Sequence, residues 1–506
     1  MFGVLITFIT AALATYYYRF RRSRRRLYEL AAKLPGPFDL PLIGSIHIGF
    51  GRGATEVMEY LLPKLDTVPT PMRAWAGPFL FVIADKPEHL AVVLNSQDCI
   101  KRSYVYDFFR TEQGLFNAEP ELWRKLRKHL TPSFAIPSVK SFIPSFNQKA
   151  DLLVKNLECL VGQAPFDMFY KVGEYALGTI AVNSLGLDLD NETSDFKQRY
   201  MENAEKMFTI MWSRMYKAWL QPELFYKLTS TYREEMERLR MFRGLTEKVL
   251  SMREEAKKQL STTKVNAERD ENNARRPQLF IDKLENISNE TGILDEEGVK
   301  QNLDTFIFAC NDTTSSVVST TILMLAIHQD IQERLYQEII SVVPGSYIDY
   351  EDMSKLDYLE MVIKEAMRLF PVAAAVARTA EKEIQIGEFI IPANAQILVP
   401  VIKIHRNKRV WGERANEFDP ENFSPEKCAM RHPYAYLSFS GGIRNCIGVK
   451  YAYITMKIVL IKLIKSYRFS TDLKLTDLKL HLSILLRIAN GYMMRLERRE
   501  TKESHT

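Results

Sequence analysis

The sequence predicts a mainly α protein with a minor β portion, folded as a single large domain behind an N-terminal membrane-anchor helix. Three observations carry this. Apolar residues recur at three-to-four spacing through most of the 506 residues, while alternation of period two is confined to short stretches. An uncharged run opens the chain, and the basic surplus of the whole sequence follows it directly.

Residues 1–18 carry no charge, and eighteen helical residues span about 27 Å, close to the hydrocarbon thickness of the endoplasmic reticulum bilayer. Tyr16, Tyr17 and Tyr18 would sit at the interface, where amphipathic rings are favoured. Between Met1 and Lys33 stand seven basic residues and one acid, which leaves the net +6 of the chain in this stretch and the remainder formally neutral. A neutral body offers no basic face to phosphate backbones, so nucleic acid is excluded as a partner. A cleaved signal peptide is the alternative to an anchor. Against it, no charged region precedes the run, no small-residue cleavage site follows it, and the charges lie on its C-terminal side. The expectation is a transmembrane signal anchor at 1–18 and a basic stop-transfer segment at 19–33. Under the positive-inside rule the rest of the chain then lies on the cytosolic face of the endoplasmic reticulum membrane. Prolines at 35, 37 and 41 cannot continue a helix, so 34–44 reads as a stiff connector, and 45–506 as the body.

Within the body, helical periodicity predicts helices over 150–160, 200–220, 232–257, 299–328, 331–342, 355–369 and 449–466. Residues 259–276 are polar and charged and predict a linker. Residues 79–83 predict a strand, and 383–401 a hairpin around Gly387. The five cysteines are scattered and include no CxxC pair, which argues against a disulfide framework or a structural zinc site.

One cysteine stands out by its surroundings. Cys446 immediately precedes the predicted 449–466 helix, where the positive end of the macrodipole and unpaired N–H groups favour a thiolate, the form that ligates metals. Gly441, Gly442 and Gly448 let backbone approach a flat group closely, and Arg444 supplies a cation suited to a carboxylate. A buried structural cysteine is the plainer reading on residue type alone. Elsewhere, Glu365 and Arg368 share a helical face at i,i+3. Asp312 and Thr313 lie inside an apolar helix, where polar groups are expensive unless paired or functional.

Taken together, these positions resemble the cytochrome P-450 monooxygenases. Phe439, Gly442, Arg444, Cys446 and Gly448 match the haem-loop pattern F-x-x-G-x-R-x-C-x-G. Glu365–Arg368 matches ExxR, Trp123–Arg127 matches WxxxR, and Ala309 to Thr313 resembles the oxygen-activation segment. The resemblance implies the cytochrome P-450 fold and a non-covalent heme b with Cys446 as its axial iron ligand. It implies that Phe439 shields the sulfur, that Trp123, Arg127, Arg378 and Arg444 hold the propionates, and that Glu365 with Arg368 buttresses the core. Thr313 would steady dioxygen and Asp312 relay protons. Several positions depart from the pattern, among them Ser438 and Ile443, which stand where prolines are frequent. Cys310 replaces a glycine beside the oxygen site. Asn422 replaces an arginine, which is expected to weaken the Glu365–Arg368 network. Ala309 stands where some fatty-acid ω-hydroxylases carry a glutamate esterified to haem, so no covalent link is expected.

The same kinship, with the clan of ω-hydroxylases and insect microsomal members, implies an apolar substrate: a fatty acid, hormone or xenobiotic. Its pocket would include Ala309, Val372, Ala373, Ala374, Val376, Ile488 and aromatics of 104–109. No dinucleotide fingerprint is present, so electrons would come from a separate NADPH-cytochrome P-450 reductase, with cytochrome b5 as a further donor. Lys125 and Lys128 are candidate contacts. The rival readings are a haem-thiolate isomerase or dehydratase, and a non-catalytic haem or lipid binder in the membrane.

Overall fold

A computed structural model describes residues 2–40, 43–45, 47, 53–65, 69–189, 194–263 and 279–499. Helices dominate it. The central helix Glu296–Ile327 is buried along most of its length, and from Val317 onward it carries no charge, as burial on all sides requires. The Asp295 carboxylate caps its start by accepting the Gly298 N–H at 2.7 Å. It packs against Met168–Ile180, Asp357–Leu369 and Val449–Ser466, and these four form the middle of the molecule. The helices expected over 200–220, 232–257, 331–342 and 355–369 appear as Ser194–Tyr216, Ser230–Thr263, Gln329–Val342 and Asp357–Leu369. Residues 150–160 are the end of Ile143–Leu157 and a following tight turn, Glu158–Leu160. The expected linker corrects in part: its first residues, to Thr263, continue a helix, and its remainder lies outside the described residues.

The β portion is one four-stranded sheet and three small ones. Its order is Met72–Ala76, Phe79–Ile83, Gln396–Val399, Val376–Thr379, with the middle pair parallel and the outer pairs antiparallel. The expected 383–401 hairpin holds only for Ile384–Ile386 and Phe389–Ile391, which pair around Gly387. Pro392 ends that ladder because it lacks an N–H, and Gln396–Val399 joins the larger sheet instead. A two-stranded piece, Leu480–Leu482 with Leu486–Ile488, reaches back toward the central helix near the C-terminus.

At the N-terminus, helix Phe2–Ser23 exposes Val4, Ile6, Phe8 and Tyr16 to Tyr18. Among the described residues no helix is long and apolar enough to cross a membrane. Helix Arg25–Ala31 follows, and Leu27, Ala31 and Leu34 pack against Leu80 and Val82 of the sheet. The basic segment is therefore docked on the body rather than merely leading to it. The proline-rich connector is tied down too, since the Pro35 carbonyl accepts the Arg73 N–H at 2.7 Å.

Candidate functional site

The loop before helix Val449–Ser466 is held in a shape only its own residues allow. Gly442 has φ +66°, and a Cβ there would lie 1.9 Å from the Leu94 carbonyl oxygen, so no other residue fits. The next residue, Ile443, donates its N–H to that same carbonyl at 3.0 Å, and the Cys446 N–H reaches the Phe439 carbonyl at 3.0 Å. Cys446 thus sits at the helix start, a residue that keeps exposed surface although its thiol is set among protein groups. Burial pushes its pKa up, and the Gly448 N–H on the sulfur with the guanidiniums of Arg127 and Arg102 pulls it back. The net direction is upward, opposite to the lowering expected from the helix dipole, because desolvation outweighs those donors. Such a thiol ionises when it binds a metal cation.

Three guanidiniums converge beside this loop. Arg444 is buried and donates to the carbonyls of Ile100, Phe116 and Ala118 at 2.9, 3.2 and 2.7 Å, with its Cζ 5.2 Å from the Trp123 ring centroid. Arg378, on strand Val376–Thr379, reaches only the carbonyls of Ala377 and Arg444, at 3.2 and 3.3 Å. Arg102 is bridged to Arg378 through the backbone and lies over the rings of Tyr106 and Phe116. Burial, then mutual repulsion, pushes Arg444 down to about 8, and burial with Arg102 pushes Arg378 down to about 9. Among the described residues none of the three makes an ion pair, and the Nε atoms of Arg102 and Arg444 have no partner. A guanidinium stays charged in a protein, so the cluster calls for anions. Sequence reasoning missed Arg102: it belongs to no motif, and its place depends on a distant strand. Arg127, expected at a propionate, donates to the carbonyl and side-chain oxygens of Asn445 at 2.9 and 2.8 Å, bracing the cysteine loop.

The central helix approaches the same loop through Cys310. The Thr313 hydroxyl donates to the Ala309 carbonyl at 2.6 Å. Asp312 is buried, and one carboxylate oxygen is bound by Arg487 of strand Leu486–Ile488, while the other has no partner. Arg487 also pairs with Glu205 at 3.2 Å, so one guanidinium joins the central helix, the C-terminal hairpin and helix Ser194–Tyr216. Burial pushes Asp312 up, against the pull of Arg487. Neither Arg487 nor Glu205 was legible beforehand. Cys310 is close enough to Cys446 for the two sulfurs to influence each other, and burial pushes its thiol far up, leaving it neutral.

Behind the loop, Glu365 and Arg368 form a fully buried bidentate pair, both bonds 2.7 Å. Arg368 also donates to the carbonyls of His405, Ala415 and Glu417, and Glu365 accepts the Asp419 N–H at 2.9 Å. The weakening expected from Asn422 is not what the geometry shows: its side-chain amide donates to Glu365 at 3.1 Å, and Arg431 binds its carbonyl at 2.9 Å.

An apolar cavity lies along the central helix, lined by Phe109, Phe116, Phe208, Phe308, Ala309 and Thr313 among others. Of the expected pocket residues only Ala309, and Phe109 of the aromatic stretch, line it. Ala374, Val376 and Ile488 are buried in apolar clusters, and Val372 and Ala373 are partly buried against them. Ile484 and Leu485, at the hairpin turn, take the place expected of Ile488.

A cysteine sulfur beside three buried guanidiniums without acidic partners fits a planar dianion carrying a metal, which is the donor chemistry of haem b. Cys446 would hold the iron, and Arg102, Arg378 and Arg444 the propionates. The family model described as cytochrome P450 matches residues 34–495. Relatives include cytochrome P450 4c3 of Drosophila melanogaster, 29% identical over 99% of this chain and 95% of its own length. Cytochrome P450 4c21 of Blattella germanica is 31% identical over 95% of each, and cytochrome P450 4V2 of Mus musculus 30% identical over 85% of this chain and 82% of its own. The protein is accordingly a haem-thiolate oxidoreductase of the monooxygenase type, with haem b held without a covalent link. From Leu34 to Arg495, the chain belongs to the cytochrome P450 family.

Proposed function

We propose that this protein inserts one atom of dioxygen into an apolar substrate (a fatty acid, hormone or xenobiotic) on the cytosolic face of the endoplasmic reticulum. NADPH-derived electrons arrive from a separate flavoprotein reductase. The observation that carries the reading is Cys446 beside Arg102, Arg378 and Arg444, none of which has an acidic partner among the described residues. When bound there, haem supplies the oxygen-activating chemistry. The chain's own part is to orient the substrate, exclude water and deliver protons. Phe109, Phe208 and Phe308 wall the substrate off from solvent. The unpartnered oxygen of Asp312 is the atom that passes protons inward, and the Thr313 hydroxyl, one residue on, receives them by swinging from the Ala309 carbonyl. The second product is water, its other oxygen atom and both protons accounted for by this route.

Helix Phe2–Ser23 is proposed as the membrane anchor. Its apolar side chains are exposed, its three tyrosines suit the interface, and arginines 19, 21 and 22 suit the headgroups. Lys125 and Lys128, exposed on helix Pro120–Leu130, are proposed to meet an acidic reductase, Lys125 after release from its 3.0 Å pair with Glu121. Two measurements test the reading. The reduced carbon-monoxide complex should show the red-shifted Soret band of a thiolate ligand and lose it in Cys446→Ser. Substrate oxidation in reconstituted membranes should require both NADPH and reductase; turnover without them would favour a peroxide isomerase and overturn the monooxygenase assignment.

A further inference from the structure

The apolar cavity has one polar end. Its lining runs along the central helix from Asp304 to Thr313, and nine residues of helical rise put those two about 13.5 Å apart along the axis. The Thr313 end is the reacting end. At the other, Asp304 is nearly buried, with one carboxylate oxygen accepting the Thr246 hydroxyl and the other 3.9 Å from the Arg243 guanidinium, beyond hydrogen-bond reach. Arg243 is itself engaged by Glu297 at 3.3 Å. Asp304 and Glu297, with Glu247 near enough to act on Asp304, therefore outnumber the Arg243 guanidinium at this end of the cavity, and one Asp304 carboxylate oxygen is left without a hydrogen bond. Between the ends the lining is aromatic, methionine and aliphatic apart from Thr111 and Thr305, and the Thr305 hydroxyl donates to the Gln301 carbonyl at 2.6 Å.

We propose that Asp304 is a specificity-determining residue, which accepts a hydrogen bond from the hydroxyl of a long-chain apolar alcohol and disfavours the corresponding carboxylate. The inference rests on the monooxygenase reading and narrows its substrate class. A hydroxyl can donate to the free oxygen of Asp304 while its chain fills the aromatic channel toward Thr313. A carboxylate in the same pose would bring a further negative charge to a site with one cation, and would leave the Asp304 oxygen without a donor. Sites built to hydrogen-bond a substrate hydroxyl reject analogues that cannot supply it. Burial pushes Asp304 up to about 6, opposed by Thr246 and Arg243, so that at pH 8 the group is ionised and accepting.

The test uses the haem-loaded full chain at pH 8, with n-dodecanol and n-dodecanoate as probes and the ligand-induced shift of the Soret band as readout. Dodecanol should bind more tightly than dodecanoate by about tenfold or more. Asp304→Asn, which removes the charge at constant shape, should reduce that preference to within about threefold, chiefly by improving dodecanoate. If Asp304→Asn does not take up haem, Glu297→Gln at the exposed rim carries the same test and should reduce the preference in part. Tighter binding of dodecanoate by the unaltered protein, an unchanged preference in the variant tested, or no shift with either probe would each overturn the proposal. In those cases the carbon-monoxide band of the thiolate complex stays intact and the monooxygenase reading stands. Loss of that band in the unaltered protein would take down both.

Discussion

Asp312 and Arg487 are buried together, and the two are unequally provided for. Arg487 has a second acid, Glu205, at the edge of the molecule, whereas Asp312 has Arg487 alone. Removing the cation leaves a buried carboxylate without a counter-charge, and breaking a buried pair from one side destabilises by roughly 3–5 kcal/mol. Arg487→Met should lower unfolding free energy by about that much in urea titrations of the haem-loaded protein. Adding Asp312→Asn should restore a large part, since the orphaned charge goes with it. Simple additivity of the two losses would show that the residues do not act as a pair. Asp304 gives a pH signature of the opposite kind. Its folded value of about 6 is raised above an ordinary 3.8, so between those values the folded state binds the extra proton. Stability then falls as pH rises from about 4 to about 6 and levels off above, by roughly 3 kcal/mol if the whole shift is expressed. The difference between the unaltered protein and Asp304→Asn should show that slope, because other carboxylates cancel in the subtraction.

At the scale of elements, the Glu365–Arg368 network explains how a departure from a family pattern is tolerated. The Asn422 amide is shorter than a guanidinium and neutral, yet it reaches Glu365 because the turn Pro420–Phe423 is drawn in by the Asp419 N–H on the same carboxylate. Asn422→Ala should cost about 1.5–3 kcal/mol, the range for a hydrogen bond to a charged group, read as a lower urea midpoint with unchanged slope. What was legible in the sequence follows the same division. Glu365 with Arg368 and Phe439 to Gly448 are each contained in one turn of helix or one loop, so spacing along the chain is spacing in space. The expected helices were legible from their period and only their ends moved, whereas Met168–Ile180 and Phe280–Thr291 went unread. Arg102, Arg487 and Asp304 were not, because each acts through a partner supplied by another element: a β-bridge to Arg378, the Asp312 carboxylate, the Thr246 hydroxyl. At 372–376 spacing along the chain has less to say, because small apolar residues look alike whether they line a cavity or fill a core.

For the whole molecule, the question is where the anchor ends and the body begins. The chain's charge changes character at residue 33, but its packing changes earlier. Helix Phe2–Ser23 presents its apolar side chains outward, whereas in Arg25–Ala31 the residues Leu27, Leu30 and Ala31 are buried, and Arg26 pairs with Glu383 near the small hairpin at 2.9 Å. That ion pair is exposed and worth little by itself. The three apolar side chains are different, because removing a buried leucine side chain alone typically destabilises by 2–5 kcal/mol. Two truncations separate the contributions. Deletion of residues 2–23 should release the protein from membranes into the soluble fraction, leaving its carbon-monoxide spectrum and melting temperature nearly as they were. Deletion of residues 2–33 should release it too, but should also lower the melting temperature by at least several degrees, since it uncovers Leu80 and Val82 beneath the docked helix. Equal melting temperatures for the two would mean that Arg25–Ala31 belongs with the anchor after all. Retention of the shorter deletion in the membrane fraction would shift the attachment from the first helix to the surface of the body.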